Sequence, residues 1–269
     1  HARVNDRGPV DSTGFHNQIF VWLRAAVIAS QAALGANVIR AHTLGVSTGR
    51  SLSFQPEAGS SNFNDDALRT IDYAIYQAST LGIRFIVPLT DSYNYYHGGY
   101  HDFVDYQISA NGSNISNCNP FPKRLVSQDD SCRAFYDHNA TTGLCDVTIE
   151  GFKAYVSQLL NHKNQFSGTV LKNDPTILAW ETGNELFIKG EPFTNWTAEI
   201  SAFIKTELNA KQLIMDGRNE VQAGVDMEAL RDEPYVDIYT DHYYEQVSSA
   251  LTTLQKDAEK TAVDFNKVF

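Results

Sequence analysis

Apolar residues recur along this chain in two alternating rhythms, a helical stripe and a short unbroken run. From Phe20 to Leu34 the chain is Ala-rich with apolar residues at helical spacing, and Gly35 stops it. Asn37 to Thr43, NVIRAHT, then reads as a buried strand. Ala67, Leu68, Ile71, Ala74, Ile75 and Ala78 share one face of a helix predicted from Asp65 to Leu81, with Gly82 ending it. Ile83 to Leu89, IRFIVPL, is the next strand. After a long polar stretch a helix is expected from about Ile149 to Leu160. Thr176 to Glu181 (TILAWE) is the third strand, Trp196 to Leu208 a helix, and Gln212 to Gly217 the fourth strand. Tyr235 to Tyr244 is the fifth strand, and Ser249 to Phe265 the closing helix.

Alternating strands and helices imply parallel strands joined by right-handed crossovers. Two architectures fit, an open doubly wound sheet and a (β/α)8 TIM barrel. No Gly-rich phosphate-binding motif follows any strand, which counts against the nucleotide-binding form of the first. Each strand also breaks into polar residues where it ends: Arg40 and His42, Asp91, Asn184 and Glu185, Asp216, Asp241 and His242. A barrel gathers those ends at one mouth, so the repetition favours the α/β barrel. Residues 1–269 are expected to form a single domain with a long loop insertion at about 91–146. The insertion exceeds an ordinary connection and reads as an excursion or lid.

Composition narrows the partners. The formal net charge of -11 argues against nucleic acid and against an anionic membrane face. No run of 18 apolar residues occurs, so no membrane span is expected. Cys118, Cys132 and Cys145 lack Cys-x-x-Cys spacing, and no zinc is expected. The cysteine pairing stays open; Cys132 and Cys145, nearest in sequence and flanking Asn139, are the expected bridge in an oxidising compartment. Sequons stand at Asn111, Asn114, Asn139 and Asn195. Their clustering with the cysteines, and a start at His1, suit a secreted, extracellular, processed glycoprotein.

The strand ends carry the candidate chemistry. Glu185 fits a proton donor, and Asn184 beside it a ligand for a sugar hydroxyl; the plainer role for Glu185 is a helix cap. Glu181 lies within the apolar run and reads as a buried polar anchor. Arg40 can hold an anion, and His242 and Tyr244, two apart on a strand end, can share a face and orient a carboxylate. Ser92 to Phe103, SYNYYHGGYHDF, offers Tyr95, Tyr96 and His97 for stacking on sugar, although core packing also explains an aromatic excess. His97 and His101 are four apart, but the Gly-Gly between them speaks against a metal-binding helix.

The segments GANVIRAHTLG, DSYNYYHGGYHDF, LAWETGNEL and DIYTDHYY, in this order and spacing, resemble glycoside hydrolase family 5, and within it the secreted fungal endo-β-1,4-mannanases and their relatives. The resemblance implies a (β/α)8 barrel, a polysaccharide or oligosaccharide as partner, a monomer, no cofactor, and hydrolysis of β-1,4-linked mannan with retention. By motif match Glu185 is the acid/base, Asn184 its neighbour at the sugar's 2-hydroxyl, Arg40 a supporter of the nucleophile from strand two, and His242 and Tyr244 the strand-six pair beside the cleft. Two departures stand out. The polar opening HARVNDRGPVDSTGFHNQ is unlike the family's first strand, and the family's nucleophile, a Glu ending strand seven, is expected beyond Phe269. The chain therefore reads as part of a barrel. A catalytically inactive carbohydrate-binding protein on the same fold, or a hydrolase of another β-glycan, are the alternatives.

Overall fold

A computed structural model of the chain describes residues 27–41, 54, 63–93, 98–104, 135–136, 146–186, 191–218, 231–240, 242, 247–264 and 267. Its frame is a four-stranded parallel sheet of β1 (Val38–Arg40), β2 (Arg84–Pro88), β3 (Ile177–Glu181) and β4 (Leu213–Met215), in that spatial order. Ile39 pairs with Phe85, Val87 with Trp180, and Trp180 with Ile214, so the strands run in step toward one end. Of the fifth predicted strand, the described residues show a single parallel bridge, Met215 to Ile238; residues 241, 243 and 244 lie outside the described residues. Bridges from Asp91 to Asn184 and from Leu186 to Arg218 carry the parallel pairing past the strand ends.

Helices α1 (Arg69–Thr80), α2 (Asp146–Asn161), α3 (Glu191–Ala202) and α4 (Val247–Asp264) fill the connections. Residues 27–33 are also helical. α1 buries the predicted stripe of Ala74, Ile75 and Ala78. The predicted helix opens, however, with a 3-10 turn at Asp65–Leu68, where two acidic residues crowd the first turn. α3 begins before the predicted Trp196, and the chain then continues into a π-helical turn at Phe203–Glu207.

Both faces of the sheet are apolar, as a covered parallel sheet requires. On one face Phe85, Val87, Trp180 and Ile214 join a large core with Ile75, Tyr155, Trp196 and Ile200 from the helices. On the other, Ala179, Met215 and Ile238 form a smaller cluster with Ile86 and Leu213 packed against it. Trp180 buries its indole and donates Nε1–H to Gln212 Oε1 at 3.0 Å. Gln212 in turn donates to the carbonyls of Leu171 and Asp174, both at 2.9 Å, which locks the start of β4 to the turn before β3.

Among the described residues, part of the aromatic excess serves core packing. Phe103, Phe135, Tyr136, Phe152, Tyr155 and Trp196 are each almost completely buried, and their rings meet edge to face or tilted. Phe103, Phe135 and Tyr136 come from the long polar segment. These described residues of the segment are thus packed in the core.

Candidate active site

Six of the strand-end groups read from the sequence, Arg40, Asp91, Asn184, Glu185, Asp216 and His242, lie at the C-terminal end of the sheet. Arg40, the last residue of β1, reaches across β2 to the end of β3. Its Nε donates to Glu181 Oε2 at 2.7 Å and its Nη2 to Glu181 Oε1 at 2.6 Å, a two-pronged ion pair. The same Nη2 donates to Asn184 Oδ1 at 2.8 Å. Asn184 passes the contact on: its Nδ2 donates to Asp91 Oδ1 at 3.2 Å. Both sides of the Asn184 amide are engaged, so its orientation is fixed by its partners.

Glu181 is fully buried. Burial pushes its carboxyl up from the ordinary carboxylate range, and the hydrogen bonds and charge of Arg40 pull against that rise. Burial likewise opposes the Arg40 charge, but the contacts with Glu181 win and hold the guanidinium above its ordinary value. Glu181 is the buried anchor expected from its place in an apolar run. Arg40, in contrast to a surface ion pair, is spent on Glu181 and Asn184.

Glu185 is 8% exposed and sits at φ 52, a left-handed backbone for a residue with a Cβ. Neighbouring strands hold that turn. Asn184 N–H donates to Thr90 O at 2.8 Å, and Leu186 N–H to Gly217 O at 3.0 Å. Gly217, at φ 70, lets the two backbones meet: a Cβ there would lie 1.9 Å from Gly183 O. The turn presents the Glu185 carboxylate to His242, whose Nδ1 lies 2.7 Å from Glu185 Oε1. The imidazole thus holds the carboxyl in place by a hydrogen bond. Chemically this is a buried carboxyl oriented by a histidine, an arrangement that suits a general acid or base.

A second cluster lies directly behind. Asp216, fully buried at the end of β4, accepts from Thr240 N at 3.0 Å and Thr240 Oγ1 at 3.1 Å through Oδ1. Arg218 Nε lies 2.6 Å from its Oδ2, a contact of opposite charges. The Asp216 carbonyl accepts from Thr182 Oγ1. Burial pushes the Asp216 carboxyl up, opposed by the Arg218 charge and the Thr240 hydrogen bonds. Sequence reading placed Asp216 at a strand end but missed Thr240 and Arg218; the alternation of Thr240 with His242 was the available signal.

Tyr95, Tyr96, His97, His42, Asp241 and Tyr244 lie outside the described residues, as do the three cysteines and the sequons at Asn111, Asn114 and Asn139. The remaining sequon residue, Asn195, is exposed on α3. Among the described residues no group of three or more His, Cys, Asp or Glu side chains is arranged to hold a metal ion. Among them, too, no helix is long and apolar enough to cross a membrane. A cavity lined by Arg84, Asp174, Ile177, Lys211 and Leu213 opens at the N-terminal ends of the strands, the opposite end from Glu185.

Comparison with known proteins fits this geometry. A family model described as GH family 5 beta-mannosidase-like matches residues 32–265. Mannan endo-1,4-beta-mannosidase 1 of Oryza sativa subsp. japonica is 26% identical over 215 residues, covering 76% of this chain and 44% of the relative. Mannan endo-1,4-beta-mannosidase 2 of Arabidopsis thaliana is 26% identical over 247 residues, covering 82% of this chain and 51% of the relative. The chain thus spans about half the length of these curated relatives. Among solved structures, the endo-1,4-beta-mannanase from Rhizomucor miehei superimposes with a TM-score of 0.67 at 26% identity, over 92% of this chain and 71% of that one. The fold is therefore that of the (β/α)8 barrel, of which the parallel sheet and its helices form a part.

Proposed function

The chain belongs to the beta-mannosidase-like part of glycoside hydrolase family 5, and from that premise we propose that it serves the hydrolysis of β-1,4-linked mannan-type polysaccharide with Glu185 as acid/base. The observation that carries the assignment is the 2.7 Å contact between Glu185 Oε1 and His242 Nδ1. A retaining glycosidase needs one carboxyl that first protonates the leaving oxygen and then takes a proton from water. Glu185 has the position for this, at the mouth, and a neighbour that holds its carboxyl in place. The other buried carboxylates described at this end of the sheet have structural partners: Glu181 with Arg40, Asp91 with Asn184, Asp216 with Thr240 and Arg218. In this reading Asn184 lies next to the acid, beside the sugar's 2-hydroxyl, and the loop with Tyr95, Tyr96 and His97 supplies stacking faces.

The test is reducing-sugar release from mannan by the intact parent protein and by its Glu185→Gln variant. Loss of about 100-fold or more in kcat is expected, because the leaving oxygen loses its acid. An aryl glycoside with a good leaving group should be spared in its first step. Equal activity of the two proteins removes Glu185 from the role; binding of mannan without hydrolysis by the unaltered protein favours a carbohydrate-binding protein instead.

Secretion is part of the same proposal. The exposed Asn195 on α3 is open to a glycan, which endoglycosidase treatment of the natural protein should remove with a visible mobility shift. An unmodified Asn195 peptide in mass spectra of that protein speaks against it.

A further inference from the structure

We propose that Asp216 is a positioning residue, which sets the contact between His242 and Glu185 by tying the segment that carries one to the strand end that carries the other. The inference rests on the acid/base reading of Glu185.

Three chain segments meet at Asp216. Its side-chain Oδ1 accepts both the backbone N–H and the hydroxyl of Thr240, at 3.0 and 3.1 Å. Thr240 stands two residues before His242, so fixing its backbone fixes where the imidazole departs from the sheet. The Asp216 carbonyl accepts from Thr182, three residues before Glu185, and the next carbonyl, of Gly217, accepts Leu186 N–H at 3.0 Å, one residue after Glu185. The turn that holds Glu185 is therefore pinned on both sides by two consecutive carbonyls of the Asp216–Gly217 segment. The Asp216 backbone N–H donates to Ile238 O at 3.1 Å, and Thr240 Oγ1 also lies 3.0 Å from Arg218 O. Glu185 and His242 are 57 residues apart in sequence, and Asp216 bonds to the segments of both.

The plainer role for Asp216 is to neutralise Arg218, its buried neighbour at 2.6 Å. The two roles separate by substitution. Asp216→Ala removes the acceptor for Thr240 and the charge for Arg218 together. Asp216→Asn keeps an acceptor oxygen for Thr240 and removes the charge. Thr240→Val keeps the charge pair and removes one donor.

The experiment measures kcat and KM on mannan for the intact parent protein and for these variants, alone and with His242→Ala. Melting temperatures and histidine-ring nitrogen NMR of His242 accompany each. Misplacing a reacting group by about 1 Å costs on the order of 100-fold. The expected result for Asp216→Ala is a 10- to 100-fold fall in kcat with KM held within about twofold. Asp216→Asn should recover most of that kcat although its melting temperature falls too. In the His242→Ala background the further loss from Asp216→Ala should shrink to about twofold, since coupled residues do not add. Asp216→Ala should also shift the His242 ring signals more than Asp216→Asn does.

Full multiplication of the Asp216 and His242 effects, or a kcat that follows melting temperature through the series, overturns the proposal. If Asp216→Ala does not fold, Thr240→Val decides: unaltered kcat together with unaltered His242 signals overturns it. If Glu185→Gln leaves hydrolysis intact, the acid assignment falls, and the NMR series still decides whether Asp216 governs His242.

Discussion

Arg40 and Glu181 show how a charge is placed under this site. The pair is buried at the carboxylate and one-third open at the guanidinium. Arg40→Ala leaves a buried carboxylate alone, and a loss of about 2–3 kcal/mol in urea unfolding is expected, below the 3–5 of a fully enclosed pair because water reaches the arginine. Arg40→Lys should recover only part, since an ammonium cannot grip both oxygens. The pH dependence has a definite sign. Burial raises the Glu181 carboxyl above 4.5, so the folded chain holds that proton more tightly than the unfolded chain. This contribution favours folding at acid pH and is lost as pH rises through the raised value. Glu181→Gln should therefore lose less stability than the parent as pH rises from the ordinary carboxylate range through the raised value, which denaturant titrations at a series of pH values check. Arg40, Asn184, Glu185 and His242 were legible because a polar residue ending an apolar run stands out locally. Which of them pair was not: Asp91, read as another strand end, meets Asn184 across 93 residues of chain, and Thr240, which was not read, meets Asp216 across 24. A sequence lists neighbours along the chain, whereas a barrel mouth sets residues side by side across strands.

Among the elements, the turn after β3 is the most constrained. Gly217→Ala places a Cβ on the Gly183 carbonyl at a left-handed φ, and a cost of about 3 kcal/mol or more is expected from strain and overpacking together. Gly35→Ala is the control: φ is 86, yet nothing lies within 4 Å, so about 1–2 kcal/mol of backbone strain is all it should lose. Comparable losses in denaturant titrations of the two variants mean that the backbone contact at Gly217 is soft. The same turn shows where periodicity stops working. Apolar spacing found α1, α2, α3 and all four strands; β2, β3 and β4 bury apolar residues of their runs, whereas β1, expected as a buried strand, leaves Val38 exposed and Ile39 only half-buried. For the fifth strand, Tyr235 to Tyr244, the described residues show the Met215–Ile238 bridge alone. Apolar spacing also missed the π-helical turn at Phe203–Glu207 and the antiparallel bridge from Lys163 to Val170, neither of which has an apolar rhythm of its own.

At the scale of the whole molecule, an aromatic cluster joins α2 and α3 to Phe103, Phe135 and Tyr136 of the long polar segment. Phe152 touches Phe103, Phe135, Tyr155 and Trp196 at ring separations of 5.2 to 5.9 Å. Phe152→Ala should cost about 3–5 kcal/mol, and it should speed limited proteolysis in the segment that Phe103 and Phe135 anchor. Unchanged cleavage with a lowered denaturation midpoint would mean that the segment is held elsewhere. The sheet itself has an order with a further consequence. Spatial order equals chain order, β1-β2-β3-β4. Every strand in this series pairs with the one synthesised just before it, so none of these four waits for a partner made later. A nascent chain can lay down this part of the sheet at the pace of translation, strand by strand. At each stage the edge that grows is covered by the next strand of the series, as soon as its connecting segment has left the ribosome.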